Sequence, residues 1–336
     1  MSLELLAYCA FFLTIALTYA VIVLGLNVQW GQTGLFNVGV AGFVAVGAYA
    51  SAILTSPAVD GRLGGFGLPV VAGWAGAFIA SGLLSAAIGW LTMRLRADYL
   101  AISTFGIAVT VQLAALNLES LTGGPFGISL IPRPFAGYAG EALVFSLANL
   151  ALLVGVVALL YLMLEHLAKS PWGRALRAIR EDEVAAEALG KSPRRFRIEA
   201  FALGGAIMGL GGAAQAHFIG FIAPENYLPM LTFQVWAMLI VGGSGNNRGA
   251  ILGAVLVWAL WAASSALVEA LAPAGEQARA ASLQTVIIGV ALCAILLFRP
   301  QGLLPEPGGA RRRLPFLSRW RGTAAAVAKS TEPERP

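Results

Sequence analysis

The sequence has few charged residues for its length. Asp, Glu, Lys and Arg make up 12% of its 336 residues, whereas hydrophobic residues make up 58%. Soluble domains carry about 25% charged residues, so this chain has too little polar surface to face water on all sides. Several uncharged runs reach the ~20 residues that a helix needs to cross a bilayer. We therefore predict an all-α fold, a polytopic transmembrane helical bundle.

Cysteine and histidine are each present only twice. Cys9 and Cys293 lie in apolar runs at opposite ends of the chain, without the spacing of a disulfide framework or a zinc site. His166 and His217 are too far apart in sequence to suggest a two-histidine metal site. No Ser/His/Asp set or carboxylate pair has the spacing of a catalytic group. We expect no metal, no cofactor and no enzymatic activity in this chain.

Acidic side chains are missing from the interior of the apolar runs. Carriers driven by proton or sodium gradients commonly use intramembrane carboxylates or unwound helices. Their absence favours a transporter whose energy comes from outside the membrane domain. A stand-alone secondary carrier is the alternative.

Nine apolar runs are candidates for spans: 5–26, 34–55, 68–93, 99–118, 142–164, 200–222, 230–241, 249–268 and 282–298. The seventh is too short to cross a bilayer unaided. We therefore predict about 8–10 spans, with half-helices among them. A half-helix pair within residues 27–39 would reverse the side on which the N-terminus lies.

Lys and Arg are concentrated in residues 165–199 and after residue 298. Cytoplasmic loops accumulate these residues, so both segments are predicted to be cytoplasmic and the N-terminus to be outside. We divide the chain into a transmembrane domain, 1–299, whose cytoplasmic loop is 165–199, and a cytoplasmic tail, 300–336. The tail is rich in Pro, Arg, Ala and Glu and is predicted to be disordered.

A charged amphipathic helix is predicted within the cytoplasmic loop. Ser170 is suited to its N-cap, Pro171 to its first turn and Gly190 to its end. Trp172, Leu176 and Ile179 share one face by helical spacing. The helix is either a connector on the bilayer surface or a docking helix for a soluble partner.

The tripeptide Gly190-Lys191-Ser192 matches the end of a P-loop. Ala185 replaces the first glycine of that motif, and the tripeptide ends a helix just before Pro193 instead of joining a strand to a helix. We therefore reject nucleotide binding by this chain.

Polar side chains inside spans usually face a bundle interior, which makes seven of them candidates for a transport pathway. They are Asn37, Ser103, Thr104, Gln112, Gln215, His217 and Gln234. The alternative for each is a hydrogen bond between helices.

Residues 173–190, GRALRAIREDEVAAEALG, resemble the M-type permease subunit of branched-chain amino acid importers. The similarity continues through GQTGLF at 31–36, VGAY at 46–49, DYLAI at 98–102, LTGGP at 121–125, GI at 127–128, AHFIG at 216–220, VGG at 241–243 and LFRPQGL at 297–303. The chain departs from the family at Val40, where members often carry His.

The resemblance implies a permease of an ABC importer in a bacterial inner membrane. Its partners would be a second, paralogous permease, two cytoplasmic ATPase subunits that hydrolyse ATP, and a periplasmic substrate-binding protein, but no nucleic acid. The residues implied to contact the ATPase are Trp172, Leu176, Ile179, Glu183, Ala185, Ala186 and Gly190. Urea and short-amide permeases belong to the same broad family and are the alternative substrate class.

Overall fold

A computed structural model describes residues 2–59, 61–138 and 140–271, together with 286, 288–290, 293–295, 297–299 and 301–306. Within these ranges the chain is helical, and no strand is present beyond one isolated antiparallel bridge between Ile128 and Ile222. The prediction of an all-α, polytopic helical bundle is confirmed. The chain is a multi-pass membrane protein.

The helices are numbered in chain order. They are α1 (Ser2–Leu26), α2 (Val40–Thr55), α3 (Val70–Thr92), α4 (Ala97–Asn117), α5 (Glu119–Thr122), α6 (Ala142–Lys169), α7 (Pro171–Glu181), α8 (Glu183–Ala188), α9 (Pro193–Ile219), α10 (Pro229–Gly242) and α11 (Asn247–Leu271).

Six of the described helices are long and apolar enough to cross a membrane. They are α1 with its continuation, α3, α4, α6, α9 and α11. The apolar helices α2 and α10 are shorter, with 16 and 14 residues. The ninth predicted run, 282–298, lies largely outside the described residues.

The first predicted span is longer than expected. After Leu26 the chain continues as a π-helical segment, Asn27–Gln32, and then runs without helix to Gly39. The polar side chains Asn27 and Gln29 of that segment are buried and hydrogen-bonded inside the bundle. Residues 27–39 therefore hold no half-helix pair, and α2 begins at Val40 instead of residue 34.

The predicted amphipathic helix ending at Gly190 is two helices, α7 and α8. Asp182 separates them because its backbone is extended, with φ −150° and ψ 104°. Its side chain accepts a hydrogen bond from the backbone of Ala185 and so caps the second helix. Ser170 caps α7 as predicted, and Gly190 ends α8 with φ +75°.

The start of the predicted tail belongs to the bundle. The backbone nitrogens of Leu303 and Leu304 donate to the carbonyl oxygens of Val241 and Gly242 at 2.9 and 3.0 Å. These residues therefore extend the ordered part of the chain beyond residue 299. Residues 307–336 lie outside the described residues.

Helix α9 is the centre of the bundle and packs against α1, α2 and α3. Its glycines bring the helix backbones together: a Cβ atom on Gly25 of α1 would lie 2.6 Å from the carbonyl oxygen of Gly204. Gly47 of α2 faces Gly209 with no room for a side chain. Helices in lipid associate through such close packing, since lipid tails are as apolar as the side chains they would replace.

The two ends of the bundle differ in charge. One end holds α7, α8 and the arginines of the loop between α3 and α4, and there Arg194 donates to the carbonyl oxygen of Trp90 at 3.3 Å. At the opposite end the backbone of Leu63 donates to Ser120 at 2.5 Å, and Ile128 pairs with Ile222. We refer to these as the basic end and the opposite end.

We predict that Gly25→Ala lowers the stability of the folded protein by about 1–3 kcal/mol, because the added methyl group overlaps backbone and Met208 atoms. Gly155→Ala on α6 is the matched control, since a Cβ there meets nothing within 4 Å. That change should be neutral or stabilise by up to ~1 kcal/mol. Apparent melting temperatures in detergent test this, and equal shifts for both variants would contradict the packing.

Candidate functional site

The α7–α8 pair is attached to the bundle through its apolar face. Leu176 and Ile179 of α7 are buried inside the chain. The indole nitrogen of Trp172 donates to a carboxylate oxygen of Glu199 on α9 at 3.0 Å. The carboxylate of Glu183 on α8 accepts from Arg197 on α9 at 2.7 Å. The pair is therefore fixed to the first two turns of the central helix.

The predicted contact residues for a partner divide into two groups. Leu176, Ile179 and Ala186 are buried, so they hold the helix pair in place. Trp172 is half-buried, and Glu183, Ala185 and Gly190 are exposed.

Two apolar side chains that the sequence analysis did not name are exposed here. Val184 is 77% and Leu189 79% exposed. Val184 lies on the short helix α8 at the charged end of the protein, and Leu189 directly follows that helix. The sequence did carry a signal for them. Both are apolar residues that fall outside the helix face shared by Trp172, Leu176 and Ile179. An exposed apolar pair on a polar surface is typical of a protein contact.

The tripeptide Gly190-Lys191-Ser192 leads directly into α9, which begins at Pro193. The prediction that this tripeptide ends a helix is therefore incomplete, because the tripeptide also precedes the N-terminus of α9. The element before it is α8 and not a strand. The strand–loop–helix context of a P-loop is therefore lacking in this described part of the chain.

Arg180 connects α7 to the end of the first span. Its guanidinium donates to the carbonyl oxygen of Gly31 in the π-helical segment. Gly34 has φ +71°, and a Cβ there would lie 3.1 Å from Cγ of Arg180. Both the backbone angle and the arginine stem favour glycine at this turn.

A chain of buried hydrogen bonds continues from that segment into the bundle. The amide nitrogen of Gln29 donates to the carbonyl oxygen of Phe201 on α9 at 2.8 Å, and its oxygen accepts from Asn37 at 2.6 Å. Trp236 on α10 donates to the carbonyl oxygen of Asn37 at 2.8 Å. The hydroxyl of Thr104 on α4 accepts from the backbone of Val38 at 3.1 Å. Asn37 and Thr104, two of the predicted pathway candidates, thus belong to the same hydrogen-bond network.

Three aromatic rings lie beside this network. The ring of Trp236 packs against Trp30 at 5.2 Å and against Phe36 at 4.9 Å between centroids. Trp30 and Phe36 are 5.5 Å apart. The non-helical residues before α2 therefore lie among both amide side chains and aromatic rings.

A second polar cluster closes the basic end of the bundle. The side chain of Asn27 donates to Asn247 on α11 at 2.9 Å and accepts from the backbone of Gly245 at 2.8 Å. Asn247 in turn donates to Glu165 on α6 at 3.4 Å. This cluster links the first span to α6 and α11.

His217 lies at the far end of α9 and is fully buried. Its Nδ1 atom is 2.7 Å from the carbonyl oxygen of Pro132, which can only accept, so Nδ1 carries the proton. Nε2 therefore accepts from the hydroxyl of Ser51 on α2 at 2.8 Å. Both ring nitrogens are used in bonds that hold α2 and the loop between α5 and α6 to α9.

The other four candidates are half-buried and lie apart from this network. Ser103 and Gln112 are on α4, Gln215 is on α9, and Gln234 is on α10. Gln234 lines a cavity of about 160 Å³ together with Trp261 and Val257. The seven candidates therefore do not form one site.

Several functional candidates were missed by the sequence analysis. They are Asn27, Gln29, Arg180, Trp236 and Asn247. The sequence did carry a signal for Asn27 and Gln29. These polar residues directly follow an apolar run that is long enough to cross a bilayer. Among the described residues, no three His, Cys, Asp or Glu side chains are grouped so as to hold a metal ion.

Comparison with known proteins gives a consistent result. Residues 8–296 match the family described as branched-chain amino acid transport system / permease component. The chain is 34% identical to the high-affinity branched-chain amino acid transport system permease protein LivM of Escherichia coli, over 87% of this chain and 69% of that protein. No solved structure matches.

More distant relatives include both kinds of permease in that system. The chain is 28% identical to the probable LivM permease of Methanocaldococcus jannaschii, over 86% of this chain and 90% of that protein. It is 25% identical to the permease LivH of Escherichia coli, over 88% and 93%. The similarity to both extends over most of their length.

We predict that Gln29→Leu lowers stability by about 1–3 kcal/mol, because the buried side-chain nitrogen of Asn37 loses its acceptor. The carbonyl oxygen of Phe201 loses Gln29 but keeps the hydroxyl of Ser85 as a donor at 2.6 Å. Thr110→Val is the control, because that exposed hydroxyl bonds only within its own helix, to Gly106 at 2.8 Å. Thermal unfolding in detergent measures both variants. A Gln29→Leu protein as stable as the control would show that the buried network contributes little.

Proposed function

Because this chain belongs to the family of branched-chain amino acid transport permease components, we propose that it is the M-type permease subunit of an ABC importer for branched-chain amino acids. The observation that carries this proposal is the family match over residues 8–296. The projecting α7–α8 pair supports it, since it offers exposed apolar side chains at the basic end and is fixed to the central helix.

Energy for transport would come from separate ATPase subunits. The exposed side of α8, with Val184 and Ala185, and Leu189 directly after it would contact the ATPase. Leu176 and Ile179 would anchor the helix pair from inside. The residues that the resemblance implies at the ATPase contact would thus have two roles. The exposed ones would touch the ATPase, and the buried ones would hold the helix pair in position. ATP hydrolysis belongs to the partner, and this chain is not an enzyme.

Movement of α7 would reach the bundle along two connections. One is the Trp172–Glu199 hydrogen bond to α9, and the other is the Arg180 bond to Gly31. Gln29 lies two residues before Gly31 and bonds both α9 and Asn37. A shift of the cytoplasmic helices would therefore change the position of the non-helical residues before α2.

Those non-helical residues are our candidate for part of the pathway. Backbone without helix at membrane depth is stable only where protein covers it or where it lines a cavity. Asn37 and Thr104 supply polar groups there, and Trp30, Phe36 and Trp236 supply apolar surface. An aliphatic zwitterion has both kinds of group. Val40 stands beside this region where related chains often carry His, so the segment has one polar group fewer.

The remaining partners follow from the same proposal. A paralogous permease of the LivH kind would complete the membrane part, two ATPases would bind at the basic end, and a substrate-binding protein would deliver the amino acid at the opposite end. The concentration of Lys and Arg at the basic end supports a cytoplasmic position for that end, on the inner side of a bacterial inner membrane. The chain after residue 306 would then be a cytoplasmic tail.

Uptake into proteoliposomes tests the transport proposal. With the second permease, the ATPases and ATP inside and the binding protein outside, we expect uptake of leucine, isoleucine or valine and not of urea or short amides. Omitting ATP or the binding protein should abolish uptake. Uptake by this chain alone, driven by an ion gradient, would support a secondary carrier instead.

Leu189→Arg tests the contact with the ATPase. The side chain is 79% exposed, so the variant should fold and insert normally but lose at least half of the ATPase recovered in a pull-down from detergent. Leu63→Arg at the opposite end, with 65% exposure, is the matched control and should recover the ATPase fully. Full recovery of the ATPase with Leu189→Arg would show that this part of the helix pair does not contact the ATPase.

A further inference from the structure

A groove lies on the surface of the bundle between α6 and α11, near the basic end. Its volume is about 580 Å³, and it is lined by Tyr161 of α6, by Arg248, Ile251, Leu252 and Val255 of α11, and by Leu304. Leu304 is fixed there, since its backbone nitrogen donates to Gly242 at 3.0 Å and its carbonyl oxygen accepts from Asn246 at 3.3 Å. The groove therefore combines one charged side chain with a largely apolar wall.

The four lining residues of α11 lie on one face of that helix. From Arg248 to Val255 they have the spacing i, i+3, i+4 and i+7, which places side chains in a row along a helix. At 1.5 Å per residue the row is about 10 Å long. It runs from the basic end toward the middle of the membrane, because α11 begins at Asn247 and is long and apolar enough to cross a membrane.

The charged end of this row lies at the boundary of the hydrocarbon core. Helix α6 has 28 residues and is therefore about 42 Å long, whereas the core is about 30 Å thick and takes ~20 residues. A span that starts at Ala142 reaches that length at Tyr161. The hydroxyl of Tyr161 accepts from Nε of Arg248 at 2.8 Å, so the two side chains lie at the same depth. Tyrosine is enriched at this level, where the lipid headgroups begin.

The guanidinium of Arg248 has donors left for a ligand. It uses Nε for Tyr161, and its two terminal nitrogens donate to no group among the described residues. The side chain is exposed at the groove. A guanidinium group binds phosphate oxygens through parallel N–H donors, and the bond to Tyr161 orients those donors.

The charge balance at the groove favours an anion. The carboxylate whose charge reaches Arg248 is that of Glu165. It pairs with Lys169 at 3.0 Å and accepts from Asn247 at 3.4 Å. A zwitterionic headgroup would bring an ammonium group that needs an acceptor, and Glu165 is already bonded. A headgroup with a net negative charge complements the positive charge of Arg248.

We propose that the groove between α6 and α11 is a binding site for an anionic phospholipid, such as phosphatidylglycerol, of the leaflet at the basic end. The phosphate group accepts from the terminal nitrogens of Arg248, and one acyl chain lies along Ile251, Leu252 and Val255. The depth of Arg248 and Tyr161 distinguishes this site from a site for a soluble anion. The inference goes beyond the proposed function and does not depend on it.

Native mass spectrometry of the full-length protein in detergent tests the site, with dioleoyl phosphatidylglycerol as the probe. We expect this lipid to bind about fivefold more tightly than dioleoyl phosphatidylcholine, which carries no net charge. Arg248→Gln should raise the dissociation constant of phosphatidylglycerol about tenfold, the effect of losing a charge-assisted hydrogen bond. Tyr161→Phe should raise it by a smaller factor, because the charge of Arg248 remains.

Arg94→Gln is the matched control, since Arg94 is exposed at the basic end in the connection between α3 and α4 and the change removes the same charge. It should leave the dissociation constant unchanged. Equal effects of Arg94→Gln and Arg248→Gln, or equal binding of the two lipids, would overturn the site. Displacement of the lipid by glycerol phosphate would assign the groove to a soluble anion and also overturn it.

Two further measurements exclude a protein segment as the occupant of the groove. A variant that lacks residues 307–336 should bind phosphatidylglycerol as the full chain does. Loss of binding in that variant would assign the lipid contact to the tail and overturn the proposal. Loss of binding when the second permease is purified together with this chain would show that protein covers the groove, and would overturn it as well.

Discussion

Close backbone contact around α9 is the constraint on which the rest of the structure depends. Helices in lipid gain little from apolar burial, so they hold together where small residues allow near approach. Gly204 and Gly209 meet Gly25 and Gly47 without intervening side chains. Because α9 is enclosed by α1, α2 and α3, polar groups along it are buried and bonded to those helices.

The same helix connects the two ends of the protein. At the basic end Glu199 holds Trp172 of the helix pair, and at the other end His217 holds the loop between α5 and α6 through Pro132. Between them the carbonyl oxygen of Phe201 accepts from Gln29. Contacts at either end of the bundle therefore act on the same helix.

Parts of this organisation were predictable from sequence because they depend on local patterns. The apolar runs predicted most helix bounds to within a few residues, and Ser170 and Gly190 marked the ends of the cytoplasmic segment. The break at Asp182 was missed, since an acidic residue inside a helical pattern also fits an uninterrupted helix. The π-helical continuation after Leu26 was missed because its polar residues find partners only in distant helices.

The sequence alone determined the membrane class, the helical fold and the family, because composition, run length and motif order need no tertiary contact. Only the tertiary structure decided which side chains are available. Leu176 and Leu189 are chemically alike, but one is buried and the other exposed. Asn37 joins a network that His217 does not reach. These differences arise from long-range packing, which places residues far apart in the chain against one another.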